Sequence, residues 1–89
     1  MDNLQEVRNI CDILNDNFDS HDFIREFIYR YPSLYGGLLT KHNNVVTAHA
    51  EIANYLLNHS SELGIMKNGI NKSKDIFGND AECALWTKI

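Results

Sequence analysis

The Asn68-Gly69 dipeptide is the strongest interruption in a chain whose apolar residues otherwise recur at helical spacing. Asn-Gly is the preferred pair for a two-residue type I′ turn, in which both positions adopt positive φ. Short segments that carry apolar residues lie on either side of it, and this arrangement predicts a β hairpin. A second turn is predicted at 77–80, and residues 83–89 suit a strand, with a short helix as the alternative.

The first two predicted helices are separated by a run of Asn and Asp residues. The first spans about residues 4–15, and Asn3 and Glu6 have the spacing of a capping box at its start. Asp19 or Ser20 can cap the second helix. This second helix carries the densest apolar cluster of the chain, which we expect in the core: Phe23, Ile24, Phe27, Ile28 and Tyr31.

Pro32 separates the second helix from the third, because proline disfavours the α conformation in the preceding residue and is favoured at the first helical position. Two interior glycines weaken the third helix. Asn44 can cap the fourth and clearest helix, at about 45–62, and Gly64 marks its end. The predicted fold is therefore α+β and mainly helical, with about four helices followed by a small C-terminal β hairpin or strand.

The length of 89 residues predicts a single globular domain, residues 1–89, with a modest core. Trp86 is expected to anchor the last strand over the helices. The first residues are too polar for a signal peptide, and no stretch approaches the length of an apolar membrane span. We therefore expect a cytoplasmic protein with no membrane partner.

Charge is distributed unevenly along the chain, although the net charge is only −4. Residues 1–29 hold seven acids and two bases, which gives −5, and residues 30–89 hold five acids and six bases, which gives +1. Lys67, Lys72 and Lys74 surround the predicted hairpin turn with no acid between them. A helical body followed by a cationic hairpin predicts a surface that meets a negative partner.

Catalytic and metal-binding signatures are weak in this sequence. His42, His49 and His59 are seven and ten residues apart, so no pair has the spacing of a helical metal clamp. His21 is expected to be exposed, and Cys11 and Cys83 are expected to be reduced core residues. The prediction is a protein that is not an enzyme and that uses no metal, cofactor or small-molecule substrate.

The third helix, the connection His42-Asn43-Asn44, the fourth helix and the basic turn together resemble a winged helix-turn-helix DNA-binding domain over residues 32–74. The resemblance implies a small nucleic-acid-binding regulator in which the fourth helix enters the major groove and the hairpin contacts the backbone. Thr47 and Asn54 would then face the bases. The phosphate contacts would come from four lysines: Lys41, Lys67, Lys72 and Lys74.

The alternative is a protein-interaction module with no nucleic-acid role, either with another protein or as a homodimer. The exposed face of the fourth helix carries a second apolar stripe, formed by Val46, Ala50 and Leu57. Such a stripe suits a protein partner or a dimer interface.

Overall fold

The computed structural model describes residues 1–89 and has an α+β architecture, as the sequence predicts. Five helices pack on one small antiparallel sheet. Two elements were not predicted, namely a short first strand before the second helix and a short fifth helix after the fourth. In chain order the elements are α1 (Leu4–Ile13), β1 (Asn17–Asp19), α2 (Ser20–Arg30), α3 (Pro32–His42), α4 (Val45–Asn58), α5 (Ser60–Leu63), β2 (Ile65–Lys74) and β3 (Asp80–Lys88).

Side-chain caps fix where two of the helices begin. The Asp19 carboxylate accepts a hydrogen bond of 2.8 Å from the Asp22 N–H, and the Asp22 carboxylate accepts one of 3.1 Å from the Asp19 N–H. This reciprocal capping box starts α2. Asn44 starts α4 by accepting from the Thr47 N–H at 3.1 Å. The capping box predicted at Asn3 is wrong, because its side chain makes no such bond.

α4 is shorter than predicted because the chain bends at His59 before α5. The His59 ring stacks on Tyr55 with centroids 4.1 Å apart, and its Nδ1 lies 2.9 Å from a Glu62 carboxylate oxygen. Gly64 ends this helical region at a φ of 68°, in the left-handed region that glycine tolerates best. None of the helices has both the length and the apolar character that a membrane crossing requires.

The sheet has the strand order β1-β3-β2, and both pairings are antiparallel. β3 is therefore the central strand, which confirms the strand interpretation of the C-terminal residues. The hairpin predicted at Asn68-Gly69 is wrong, since β2 continues through these two residues. They form a β-bulge between the pairs Lys67↔Trp86 and Ile70↔Ala84, and Gly69 has a φ of 87° there.

The hairpin turn lies at 75–79, close to the second turn predicted from the sequence. The Asp75 side chain accepts hydrogen bonds from the N–H groups of Phe77 and Asn79, at 2.9 and 3.0 Å. The Arg25 guanidinium donates to the carbonyls of Lys74 and Asp75, so the start of the turn is tied to α2.

The core lies where α1, α2 and α4 meet the sheet. The predicted anchoring role of Trp86 is confirmed, because its side chain is buried and its Nε1 donates to the Ser20 hydroxyl at 3.0 Å. Three residues of the predicted helix cluster, Phe23, Ile24 and Phe27, are buried. The other two, Ile28 and Tyr31, pack against the core from its edge.

Candidate functional site

An open, mainly apolar cleft of about 420 Å³ lies between α4, the start of α2 and the β2–β3 hairpin. α4 forms one wall with Val46, Ala50 and Ala53, and the hairpin forms the opposite wall with Ile76 and Phe77. Val46 and Phe77 are 77% and 63% exposed. Large apolar side chains therefore remain in water on both walls of this cleft.

Five polar side chains from two distant parts of the chain contact one another beside the cleft, and two of them, His21 and Cys83, line it. Asp19 and His21 come from the start of α2, and Asn71, Ser73 and Cys83 come from the hairpin. Asn71 donates to the Asp19 carboxylate at 2.9 Å and is paired with Cys83 across the two strands. The His21 Nδ1 lies 2.8 Å from the Ser73 hydroxyl. We call these five residues the floor cluster.

Asp19 is 4% exposed and accepts hydrogen bonds from several neutral donors. Burial alone would raise the pKa of its carboxyl, but hydrogen bonds from the Asp22 N–H, Ser73 and Asn71 outweigh this effect and lower the pKa. The carboxylate therefore stays ionised at neutral pH, although it lies in the interior.

His21 is nearly buried, so the prediction that it is exposed is wrong. The sequence places it in the first turn of a helix, but the hairpin folds over that turn and Ser73 contacts the imidazole. The contact with Ser73 is made by the Nδ1 atom of the ring, and the Nε2 atom forms no hydrogen bond.

Asp19, His21 and Cys83 each offer one metal-ligating atom, and these atoms all lie within 4.8 Å of one another. The sequence predicted no metal site, because no histidine has other metal-ligating residues at suitable spacing near it in the chain. Cys83 was also expected in the core, and it lines the cleft instead. Its thiol is free, as predicted, and so is the buried thiol of Cys11.

His49 lies in the α4 wall, and its Nε2 is 2.7 Å from the Tyr35 hydroxyl. This contact gives the half-buried imidazole a hydrogen-bond partner. Burial lowers the pKa of His49. The cleft therefore presents a neutral imidazole on this side at neutral pH.

Acidic residues form the charged part of the cleft lining. Asp75 and Glu82 lie on the hairpin side, and no lysine or arginine lines the cleft. Lys74 and Asp80 form an ion pair of 3.1 Å at the neighbouring strand ends. The cleft is thus apolar in its walls and negative at its margin.

The predicted nucleic-acid residues lie on three elements, α3, α4 and β2. Lys67, Lys72 and Lys74 lie along β2, where Lys72 is paired with Glu82 across the strands. Lys41 lies on α3, and its ammonium forms an ion pair of 2.9 Å with Glu51 of α4. Thr47 and Asn54 are exposed on α4.

Two of the three predicted partner-interface residues, Val46 and Ala50, line the cleft. Leu57 is exposed further along α4 and lies outside the cleft. No single segment of the sequence signals the floor cluster, because residues about 50 to 65 positions apart form it.

No protein family, curated protein or solved structure matches this chain.

Proposed function

We propose that the chain is a protein-interaction module whose binding site is the cleft between α4 and the β2–β3 hairpin. The observation that carries this proposal is the exposure of Val46 and Phe77 on opposite walls of an apolar cleft. Burying apolar surface stabilises a complex by about 25 cal/mol per Å². A volume of about 420 Å³ accommodates one or two apolar side chains of a partner.

The charge of the cleft defines the chemistry of the partner. Asp75 and Glu82 give the margin a negative potential that no cleft-lining lysine or arginine offsets. A complementary partner carries an apolar anchor with basic residues beside it, because opposite potentials favour encounter and suppress wrong partners. The occupant we propose is therefore a peptide segment with Leu or Phe flanked by Lys or Arg.

A peptide series tests this proposal by NMR of the labelled protein. The probe is a short peptide with a central Leu-Phe pair and lysines at both ends, and it should shift the amide signals of Val46, Ala50 and Phe77. A matched peptide with glutamates at both ends should bind more weakly, and one with Gly-Gly at the centre should not bind. Equal binding of all three peptides, or none by any, would refute the proposal.

Substitutions locate the binding site. Val46→Ser should weaken the affinity for the lysine peptide about tenfold, because it removes one apolar side chain of about 1.5 kcal/mol from the contact without changing the charge of the cleft. Tyr29→Ser is the matched control, since Tyr29 is an exposed apolar residue of α2 that does not line the cleft. Leu57→Asp tests whether the partner is a second copy of the chain. In that case the wild-type chain should sediment with the mass of a dimer, and the variant should sediment with the mass of a monomer.

Nucleic-acid binding is the second proposal, and the order of the elements favours it. α3, the connection at Asn43-Asn44, α4 and the β2–β3 hairpin follow one another as a helix-turn-helix and wing would. In this version Lys67, Lys72 and Lys74 bind phosphates, and replacing all three with Ala should abolish binding to mixed duplex DNA. Wild-type binding should weaken steeply with added salt. No binding to the duplex at low salt would exclude this version and leave the peptide proposal unaffected.

A further inference from the structure

We propose that Asp19, His21 and Cys83 form a zinc-binding site beside the cleft. Their ligand atoms lie within 4.8 Å of one another. Zinc bonds of about 2.0–2.3 Å in tetrahedral geometry place any two ligands about 3.5 Å apart, so small side-chain rotations bring the three atoms onto one ion. Carboxylate oxygen, imidazole nitrogen and thiolate sulfur are the three ligand types that zinc uses in proteins.

Each of the three residues is held by a contact outside the site. Asp19 is fixed as the cap of α2 and by the Asn71 amide, and His21 is fixed by the Ser73 hydroxyl. Cys83 lies on the central strand of the sheet, opposite Asn71. Hydrogen bonds that orient the ligands are typical of metal sites, where they raise ligand basicity and define the histidine tautomer.

The charges at the floor cluster favour a divalent cation. Asp19 is a nearly buried carboxylate that forms no ion pair with lysine, arginine or histidine. Zinc coordination releases the Cys83 thiol proton to solvent, so that the carboxylate and the thiolate together carry two negative charges. These two negative charges balance the two positive charges of the ion.

Because His21 and Cys83 both line the cleft, solvent in the cleft can reach an ion held between them and supply a fourth ligand. A soft thiolate ligand selects zinc over magnesium and calcium, which prefer sites made only of oxygen.

Metal titration of the reduced, chelator-treated chain tests the site. Isothermal titration with zinc chloride should show one ion per chain. Cobalt chloride should produce the near-ultraviolet band of a thiolate-to-cobalt transition, which reports directly on a sulfur ligand. Cys83→Ser should lose this band, and both Cys83→Ser and His21→Gln should lose the zinc signal.

Control variants separate this site from other histidines and from folding. His49→Gln removes a cleft histidine outside the set, and His59→Gln removes a surface histidine beside Glu62, so both should retain stoichiometric zinc. Asp19→Asn keeps a side-chain oxygen for the helix cap and should still lose zinc affinity. Far-ultraviolet circular dichroism identifies any variant that does not fold.

Failure of the wild-type chain to take up one zinc ion would overturn the proposal. Unchanged zinc affinity in folded Cys83→Ser and Asp19→Asn would overturn it equally. The site goes beyond the proposed partner binding, and because the titration uses no peptide, its outcome does not depend on that function.

Discussion

Asp19 and Glu51 are two carboxylates that are both mostly removed from water, yet their partners differ. Asp19 accepts hydrogen bonds from an N–H, an amide and a hydroxyl, all of them neutral. Glu51 forms ion pairs with the Met1 amino group at 2.7 Å and with Lys41 at 2.9 Å, and the His42 Nε2 lies 2.6 Å from its carboxylate.

These two environments leave the two carboxylates with different net charges. The amino group, Lys41 and His42 lower the pKa of Glu51 to about 2 and also cancel its charge. Hydrogen bonds from the Asp22 N–H, Ser73 and Asn71, with a smaller contribution from His21, lower the pKa of the Asp19 carboxyl, and no lysine or arginine forms an ion pair with it. The partners of Glu51 therefore neutralise its charge, and together they form an ion-pair cluster that connects α3 and α4. Asp19 keeps a net negative charge that can hold a cation.

Substitution of Asp19 is expected to cause the largest loss in the free energy of unfolding. In metal-free buffer, Asp19→Ala removes the cap of α2 and leaves the polar groups of Asn71 and Ser73 without their acceptor, so the free energy of unfolding should fall by about 3 kcal/mol. Asp19→Asn keeps an acceptor for the cap and should cost about 1 kcal/mol. Urea denaturation measures both values. Equal losses in the two variants would mean that the cap contributes nothing.

Glu51→Gln should lower the free energy of unfolding by about 1.5 kcal/mol, which is less than the loss expected for Asp19→Ala. Glutamine keeps the size of the side chain but loses the carboxylate charge that attracts the Met1 amino group, Lys41 and the His42 ring. Two of these groups can turn toward solvent, because Lys41 and the side chain of His42 lie near the surface. The same denaturation experiment tests this order, and a loss larger than that of Asp19→Ala would reverse the comparison.

Unfolding in acid should measure how much Glu51 contributes to the free energy of unfolding. Its pKa is lowered in the folded state, from an ordinary 4.5 to about 2. The stability that this shift supplies is therefore fully present above about pH 4.5 and is lost as the pH falls toward 2. Glu51→Gln should flatten the decrease in unfolding free energy across this window. An unchanged pH profile would contradict a pKa of Glu51 that is lower in the folded than in the unfolded chain.

The smallest effect is expected at Lys41, whose side chain is 59% exposed. Lys41→Ala should lower the free energy of unfolding by about 0.5 kcal/mol or less, because exposed ion pairs contribute little. This loss should shrink in high salt. Lys67→Ala is the control, since Lys67 forms no ion pair and should show no salt-dependent loss.

Local chemistry predicted the helical part of the fold well. The starts of α2, α3 and α4 depend on Asp19, Pro32 and Asn44, and each acts on residues at most a few positions away. The positive φ of Gly69 was also predictable. The role of Gly69 in a β-bulge was not predictable, because the bulge depends on the pairing of β2 with β3, which extends from Ile65 to Lys74.

The candidate site was only half predictable. Val46 and Ala50 follow from the periodicity of one helix, and they line the cleft. His21 and Cys83 depend on the docking of the hairpin against α2, which no periodicity within either segment encodes. Similarly, β1 is only three residues long and forms because β3 supplies a partner for it.

The bulge in β2 also affects how this chain meets copies of itself. β2 lies at the edge of the sheet, so one side of its backbone has hydrogen-bonding groups that no neighbouring strand satisfies. A bulge in its middle and exposed lysines along it make the edge irregular and charged, which disfavours pairing with a strand from another molecule. The Asn-Gly pair and the surrounding lysines thus protect the protein against edge-to-edge aggregation.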